Sequence, residues 1–193
     1  MKIIETGLPG VVIFEPKVFR DQRGFFVETF RETTLRTSAI NETFVQDNHS
    51  RSSKGILRGL HYQLIQPQGK LVRVSRGKVF DVAVDVRKNS PTFGQWFGTV
   101  LDDENLRMIY VPPGYAHGFV VLSEEADFIY RCTNYYHADS EQCIAWNDPE
   151  IGIQWPVSDV SLSTKDQSAP NLSQQAVEKL PNYIPIQDNL CAI

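Results

Sequence analysis

Apolar and polar residues alternate with a period of two along most of the chain, from Val11 to about Trp146. β-branched and aromatic residues are frequent in these segments, and no helical pattern of comparable length accompanies them. Gly, Pro, Asn and Asp residues separate one segment from the next. The pattern predicts an all-β core of many short strands, which is typical of a sandwich or a barrel.

The alternation predicts ten strands, and Lys70–Arg76 should pair with Val79–Val86 as a hairpin because Arg76-Gly77 supplies a tight turn. The ten strands are Val11–Phe14, Gly24–Thr29, Phe44–Ser50, Leu57–Gln63, Lys70–Arg76, Val79–Val86, Trp96–Leu101, Arg107–Val111, His117–Leu122 and Ala126–Thr133. Short helices are predicted at Glu32–Ile40 and at Ser173–Leu180, the second with Ser173 as its N-cap and Pro181 as its stop. With 193 residues, we expect one domain over residues 1–180 and a peripheral tail over residues 181–193.

Composition narrows the class of protein. The chain is 41% hydrophobic and 22% charged, as in ordinary globular proteins, and no apolar run approaches the length of about 18 residues that spans a bilayer. The start lacks the apolar stretch of a signal peptide, so we expect a cytoplasmic protein with no membrane partner. Cys132, Cys143 and Cys191 match no metal-ligand spacing and are predicted to be reduced packing residues.

The charge distribution bears on the partners. A formal net charge of −4 argues against nucleic-acid binding, which normally shows a basic footprint. An anionic ligand would need a local basic pocket, and one basic run offers a candidate, although such runs are more often a solvated face. The run comprises Arg51, Lys54, Arg58, Lys70, Arg73, Arg76 and Lys78.

Several polar residues occupy strand positions where a core residue is expected. His61 lies in the middle of the apolar segment Leu57–Gln63, and a lone histidine there is more often a hydrogen-bonded core residue than a catalyst. Lys70, His117 and Tyr130 also stand in or beside strands. Polar groups that converge in the mouth of a barrel indicate a ligand site.

Two of these segments have the spacing of the two cupin motifs, which place metal ligands on barrel strands. The segment Pro112-x-Gly114-x-x-His117 resembles the second motif. The segment that contains His61 differs from the first cupin motif. A metal-binding cupin has a second histidine where Gln63 stands and a carboxylate where Lys70 stands. An ammonium group cannot ligate a cation and repels one, so we predict no metal at His61.

The most specific feature is an ordered series of short motifs: Phe19–Glu28, Gln46–Ser50, Gly55–Gln63, Lys70–Val74, Asp81–Asp85, Ser90–Gly94, Pro113–Phe119, Trp146–Pro149 and Leu162–Asp166. In this order they resemble the motifs of the dTDP-4-dehydrorhamnose 3,5-epimerase family, over about residues 1–170. The resemblance implies a cupin-type double-sheet jelly-roll barrel with a few short peripheral helices. It also implies a homodimer in which amino-terminal strands and binding residues are exchanged.

The family's reaction defines what the site must supply. It converts dTDP-4-dehydro-6-deoxy-D-glucose, a dTDP-4-keto-6-deoxyhexose, to dTDP-4-dehydro-L-rhamnose in dTDP-L-rhamnose biosynthesis. Both inverted carbons, C3 and C5, flank one ketone, so proton removal gives an enolate. Such a reaction needs a base, a stabiliser for the oxyanion and an acid on the opposite face. It requires neither a metal nor a redox cofactor, and we expect none.

The resemblance also implies the residues' roles. His61 would be the base, Asp166 would orient and stabilise it, Lys70 would stabilise the enolate oxygen, and Tyr130 would return a proton from the other face. The implied arginines suit a diphosphate, since a guanidinium donates two parallel hydrogen bonds. The substrate-binding positions implied are Arg23, Glu28, Gln46, Asp47, Asn48, Arg58, His117, Glu141 and Lys165.

The strand geometry sets one condition on these roles. Arg58 and His61 are three residues apart, and a regular strand would direct them to opposite faces. Both can face one pocket only if Gly59 marks a bulge or a bend.

Three alternatives remain at this stage. The chain could be a relative that inverts a single carbon, or one that acts on a different deoxysugar in secondary-metabolite assembly, with the same His, Lys and Tyr residues. A non-catalytic cupin that only binds a sugar nucleotide should have lost the base or the acid, and this chain keeps both. A metal-dependent cupin oxygenase or isomerase would contain stoichiometric metal, which the Lys70 argument opposes.

Overall fold

The computed structural model describes residues 1–38 and 40–184, which form thirteen β-strands and two short α-helices. The strands are β1 Lys2–Glu5, β2 Val12–Glu15, β3 Val18–Asp21, β4 Gly24–Val27, β5 Gln46–Ser53, β6 Leu57–Gln63, β7 Lys70–Arg76, β8 Lys78–Asp85, β9 Trp96–Asp102, β10 Met108–Val111, β11 Tyr115–Val121, β12 Glu125–Cys132 and β13 Glu141–Cys143. The helices are α1 Glu32–Arg36 and α2 Thr164–Gln167. Single 3₁₀ turns lie at Ala138–Ser140, Leu172–Gln174 and Val177–Lys179.

Two antiparallel sheets form the body of the molecule. The six-stranded sheet has the order β1-β2-β10-β7-β12-β5, the five-stranded sheet has the order β13-β6-β11-β8-β9, and β3 pairs with β4 as a separate hairpin. Val72 and Phe128 of the six-stranded sheet share one buried cluster with Ala83, Leu101 and Phe119 of the five-stranded sheet. The core therefore lies between the sheets, and the predicted all-β, double-sheet jelly-roll barrel is confirmed.

The predicted hairpin of Lys70–Arg76 with Val79–Val86 is wrong. Strand β7 pairs with β10 and β12, whereas β8 pairs with β9 and β11 in the other sheet. The turn itself is tight, because Gly77 has φ +78° and a Cβ there would lie 2.1 Å from the Glu125 carbonyl oxygen. This turn passes the chain from one sheet to the other. Alternation along a strand does not encode its partners, and jelly-roll connections are mostly long-range.

Strand β8 is buried on both of its faces. Val82 and Val84 face outward, where they pack with Ile151, Leu172 and Leu180 from the carboxyl-terminal part of the chain. The alternate positions of β8, which include Asp81 and Asp85, face the space between the sheets and are also fully buried. The outer face of the five-stranded sheet is therefore covered by residues that follow β13.

The predicted helices are only partly present. The first is shorter than predicted, ending at Arg36. The prediction of a helix at Ser173–Leu180 is wrong, because Gln175 is extended between two 3₁₀ turns and Asn171 caps the first turn. A helix of eight residues is marginal without extensive packing. In addition, β1, β3 and β13 were not predicted, and the predicted Gly24–Thr29 ends at Val27.

The chain after Leu180 can be described only in part. Pro181 accepts a hydrogen bond from the Lys88 amide, and Asn182 forms a bridge with Lys88. From residue 185 onward the predicted tail, including Cys191, lies outside the described residues. Cys132 and Cys143 are free thiols. Neither helix in residues 1–38 and 40–184 has the length and apolar character needed to cross a membrane.

Candidate active site

A cavity of about 460 Å³ opens between the two sheets, beside the segment that carries α2. Its wall combines charged, hydroxyl and aromatic groups. Eight of the thirteen predicted site residues line it: His61, Lys70, Tyr130, Asp166, Arg58, His117, Glu141 and Lys165. Residues far apart in sequence are thus brought together at one end of the barrel, where ligand sites in this architecture form.

A bulge in β6 places Arg58 and His61 on the same cavity. His61 lies opposite His117, and Arg58 lies opposite Phe119, so β6 advances three residues while β11 advances two. Gly59, within the extra step, has φ +128°. The extra residue reverses the alternation of side chains, and both Arg58 and His61 line the cavity. The strand is therefore not regular, and the condition for Arg58 and His61 to share one pocket is met.

The bulge needs glycine in both strands. A Cβ on Gly59 would lie 2.6 Å from the Gly118 Cα and 2.9 Å from the His117 carbonyl oxygen. A Cβ on Gly118 would lie 2.7 Å from the Arg58 carbonyl oxygen. The two backbones are therefore so close that neither position has room for a residue with a Cβ.

His61 and Asp166 form a hydrogen-bonded pair. The His61 Nε2 lies 2.6 Å from the Asp166 Oδ1, and Asp166 is buried. Burial alone would raise the pKa of Asp166, but the bond from His61 and further bonds from Ser163 and the Gly59 amide hold that pKa below its usual value. The Asp166 amide in turn donates to Ser163 Oγ, the N-cap of α2. Asp166 is therefore an ionised carboxylate in a fixed position against the imidazole.

Lys70 and Tyr130 reach the cavity from the sheet opposite to His61. Lys70 begins β7 and Tyr130 lies on the neighbouring strand β12, both in the six-stranded sheet. Burial lowers the pKa of the Lys70 ammonium, while Cys132, Glu141 and Asp81 oppose that shift. Burial raises the pKa of Tyr130 to about 12, so its phenol is protonated at neutral pH. The cavity thus has an imidazole on one wall and a phenol on the other.

His117 is held by a carboxylate that sequence reasoning did not single out. The His117 Nε2 lies 3.0 Å from each carboxylate oxygen of Asp81, which is fully buried. Alternation made Asp81 look like the solvated side of β8, although both sides of that strand are covered. The contact depends on the direct pairing of β8 with β11, which alternation within a strand does not report.

Glu141 and Lys165 form an ion pair at the cavity. Glu141 Oε2 accepts hydrogen bonds from the Lys165 ammonium and, at 2.9 Å, from the Tyr136 hydroxyl. Burial raises the pKa of Glu141, but the bonds from Lys165 and Tyr136 and the charge of His61 bring it below its usual value. A negative charge is therefore maintained near His61.

The remaining five predicted positions do not line the cavity. Gln46 and Asn48 lie on the face of β5 that also carries Ser50, a lining residue, and the Gln46 amide donates to Asn48 at 3.0 Å. Asp47 alternates to the other face, where its carboxylate lies 3.5 Å from Arg131.

Arg23 and Glu28 lie apart from the cavity, in and just after the β3–β4 hairpin. Arg23 is 84% exposed and bonds to Asp21, and Glu28 bonds to Arg31 at the surface. Within one chain, therefore, neither side chain is at the site.

The basic run resolves into surface pairs and cavity residues. Arg51 pairs with Asp127, Lys54 with Glu124 and Arg76 with Glu125. These residues form a solvated face, as basic runs usually do. Arg58 and Lys70 instead line the cavity.

Gln63 has a structural role at the position of a cupin metal ligand. Its amide donates to the carbonyl oxygens of Gln66 at 2.6 Å and Tyr135 at 3.0 Å, and its oxygen accepts from the His137 amide. These bonds use both ends of the side chain to tie two loops beside the cavity.

The fold and the cavity define a class of protein before any comparison is made. A jelly-roll barrel that presents an aspartate-bound imidazole on one wall, and a protonated phenol with an ammonium on the other, has the groups of an enzyme that removes and returns protons beside a carbonyl. Comparison with known proteins identifies the family within that class.

A sequence profile described as dTDP-4-dehydrorhamnose 3,5-epimerase matches residues 5–174. The dTDP-4-dehydrorhamnose 3,5-epimerase of Salmonella typhimurium is 56% identical over 177 residues, which are 90% of this chain and 97% of that protein. The chain therefore belongs to the dTDP-4-dehydrorhamnose 3,5-epimerase family.

Solved structures of epimerases support this family membership. The crystal structure of dTDP-6-deoxy-D-glucose-3,5-epimerase from Legionella pneumophila Philadelphia 1, in complex with dTDP-4-keto-L-rhamnose, superposes with a TM-score of 0.93 and 52% identity, covering 95% of this chain and 99% of that one. A 3'-monoepimerase from Streptomyces bikiniensis in complex with dTDP-quinovose superposes with a TM-score of 0.87 and 35% identity, covering 92% of each chain.

The bulge can be tested with two glycines of similar backbone conformation. Gly59 and Gly24 have φ of +128° and +123°, but a Cβ on Gly24 meets nothing within 4 Å. Gly24→Ala should therefore show only backbone strain, about 1–3 kcal/mol in the free energy of unfolding. Gly59→Ala should lose a further ~1–3 kcal/mol from overpacking. Denaturant unfolding of both variants measures the difference, and equal losses would contradict the close approach of β6 and β11.

Proposed function

We propose that this chain catalyses the reaction of its family, the conversion of dTDP-4-dehydro-6-deoxy-D-glucose to dTDP-4-dehydro-L-rhamnose by inversion at C3 and C5. The observation that carries the proposal is the position of His61 and Tyr130 on opposite sheets, with Lys70 in the same cavity. Inversion needs a base and an acid that straddle the sugar, and a ring lying between the sheets would have one on each face.

His61 is the proposed base. Its Nε2 is engaged by Asp166, which fixes the tautomer and leaves Nδ1 to take the substrate proton. When the imidazole becomes charged, the ionised Asp166 stabilises it at a distance of 2.6 Å. Asp166 acts by orienting His61 and need not take up the proton itself.

Lys70 and Tyr130 complete the proposed chemistry. Proton loss at C3 or C5 moves charge onto the oxygen at C4, and an ammonium in a partly desolvated cavity stabilises that oxyanion strongly. Tyr130, still protonated at neutral pH, donates a proton to the carbon from the opposite face. Each carbon is thereby inverted in one deprotonation and one protonation.

The binding residues follow from charge and position. Arg58, which the bulge turns into the cavity, is proposed to bind the diphosphate through its guanidinium. His117, held by Asp81, donates or accepts a hydrogen bond at the sugar. Glu141 and Lys165 at the cavity, and Gln46 and Asn48 on the Ser50 face of β5, remain proposed contacts of the nucleotide sugar. Asp47 is not proposed as a contact, because its side chain lies on the other face of β5. No metal or redox cofactor has a part in the proposal.

Two carbons rather than one are proposed as the sites of inversion. The chain is 56% and 52% identical to the 3,5-epimerases of Salmonella typhimurium and Legionella pneumophila but 35% identical to the 3'-monoepimerase from Streptomyces bikiniensis. The difference in identity favours the 3,5-epimerase. The groups in the cavity serve either reaction, so the number of carbons exchanged decides between the two.

The β3–β4 hairpin supports a homodimer. Phe19, Phe25 and Phe26 are 53%, 53% and 70% exposed on this short hairpin. Apolar side chains concentrated in this way are costly in water and typical of an interface. A second copy that covers the hairpin would bring Arg23 and Glu28 near the copy's cavity, where the family implies that they bind substrate.

A cytoplasmic location also stays a prediction, in keeping with the reduced cysteines.

Deuterium exchange tests the function. In D2O with dTDP-4-dehydro-6-deoxy-D-glucose, NMR should show deuterium at both C3 and C5. His61→Ala should lower both rates by about 10²–10⁴-fold, because the base is gone. Tyr130→Phe should retain exchange while forming less inverted product, since His61 can return deuterium to the original face.

Exchange at one carbon alone would indicate a single-carbon epimerase. Undiminished exchange in His61→Ala would contradict His61 as the base.

The pH profile tests Lys70. Burial lowers the pKa of Lys70 and raises that of Tyr130 to about 12, so Lys70 loses its proton first as the pH rises. The alkaline fall in kcat/KM should therefore follow Lys70. Lys70→Arg should have a lower maximal kcat/KM than the wild type. Its alkaline fall in kcat/KM should shift to higher pH, because a guanidinium keeps its charge above about pH 12. Tyr130→Phe should leave the alkaline fall in kcat/KM at the same pH. If the fall disappears in Tyr130→Phe, the titrating group is Tyr130 and not Lys70.

Sedimentation tests the dimer. The wild type should sediment with twice the chain mass of 21.9 kDa. The double variant Phe25→Ser/Phe26→Ser should shift toward the monomer and raise KM, since Arg23 and Glu28 would leave the partner's cavity. Val177→Ser, which removes an exposed apolar side chain outside the hairpin, should do neither. A wild-type monomer with full activity would overturn the exchanged arrangement.

A further inference from the structure

A cysteine lies beside the proposed catalytic pair. Strand β13 places Cys143 directly opposite His61 on β6. The ligand atoms of His61, Cys143 and Asp166 all lie within 4.8 Å of one another. Three residues from β6, β13 and α2 thus converge on one small volume at the cavity wall.

The donor set matches one class of ion. Imidazole nitrogen, thiolate sulfur and carboxylate oxygen are the ligands of zinc, at bond lengths of about 2.0–2.3 Å. Magnesium and calcium prefer oxygen donors alone, so a thiolate selects against them. We propose that His61, Cys143 and Asp166 form a binding site for zinc or a similar thiophilic divalent cation.

The sequence predicted no metal at His61 because Lys70 stands at a ligand position of the cupin site, but this cluster uses a different set of ligands. In a cupin site Lys70 would stand at a ligand position, whereas the cluster is complete without it. Lys165 pairs with Glu141 and its ammonium also hydrogen-bonds the Cys143 thiol, so a cation that binds Cys143 must take the place of this hydrogen bond. Burial raises the pKa of the Cys143 thiol to about 11, so a cation must displace its proton, as zinc does at the thiols it coordinates.

Such an ion would inhibit the enzyme. Coordination takes up the Nε2 of His61 and the carboxylate of Asp166, the two atoms whose hydrogen bond positions the base. Metal binding itself is independent of the epimerase reaction. The expected inhibition, in contrast, rests on the proposed role of His61.

Cobalt reports the site directly. Titration of the full-length protein with Co²⁺ should give a thiolate-to-cobalt charge-transfer band and tetrahedral d–d bands. Cys143→Ser should lose the charge-transfer band and bind Zn²⁺ at least about tenfold more weakly by calorimetry, since removal of even supporting groups costs 10–100-fold. Cys132→Ser is the matched control, because Cys132 lies in the other sheet, and it should keep the band.

The outcomes separate the site from the function. A wild type without the band, or a Cys143→Ser variant that keeps it, would overturn the site. If the band appears as expected, Zn²⁺ should inhibit the wild type at concentrations at least about tenfold lower than Cys143→Ser, and Mg²⁺ should inhibit neither. A bound ion without inhibition would leave the metal site standing and contradict His61 as the base.

Discussion

The extra residue in β6 is the constraint on which the site depends. Because β6 advances three residues while β11 advances two, Arg58 and His61 share a cavity that a regular strand would divide between them. The Gly59 amide within this bulge also helps to hold the pKa of the Asp166 carboxyl below its usual value. One local irregularity thus places Arg58, the proposed diphosphate-binding residue, beside His61, the proposed base. Only glycine fits at Gly59 and Gly118, because a Cβ at either position would lie within 3 Å of the backbone of the other strand.

The double-sheet architecture supplies the second requirement. His61 and His117 project from the five-stranded sheet, and Lys70 and Tyr130 project from the six-stranded sheet. A ligand between the sheets meets different chemistry on its two faces. The packed core below, in which Phe119 and Phe128 stack at 3.8 Å between ring centroids, fixes the distance between these walls. Buried hydrogen bonds such as that between His117 and Asp81 then fix individual side chains.

Sequence reasoning reached the fold class, most strands and the eight cavity residues, since alternation reports strands and the motifs report a family. It failed where pairing is long-range. Arg76-Gly77 is a real turn, but β7 and β8 separate into different sheets, because nothing within a strand states which strands adjoin it. Asp81 was missed because the carboxyl-terminal segment covers the outer side of β8, and alternation no longer distinguishes core from solvent there. Arg23 and Glu28 lie outside the cavity of a single chain. The alternation of residues within one chain does not report whether they contact the cavity of a second copy.

A crystal structure with an unreactive dTDP-hexose, lacking the 4-keto group, tests the central claim most directly. The account predicts the sugar ring between the sheets, with His61 on one face, Tyr130 on the opposite face, the oxygen at C4 toward Lys70 and the diphosphate on Arg58. A sugar bound outside the cavity, or His61 and Tyr130 on the same face of the ring, would contradict it.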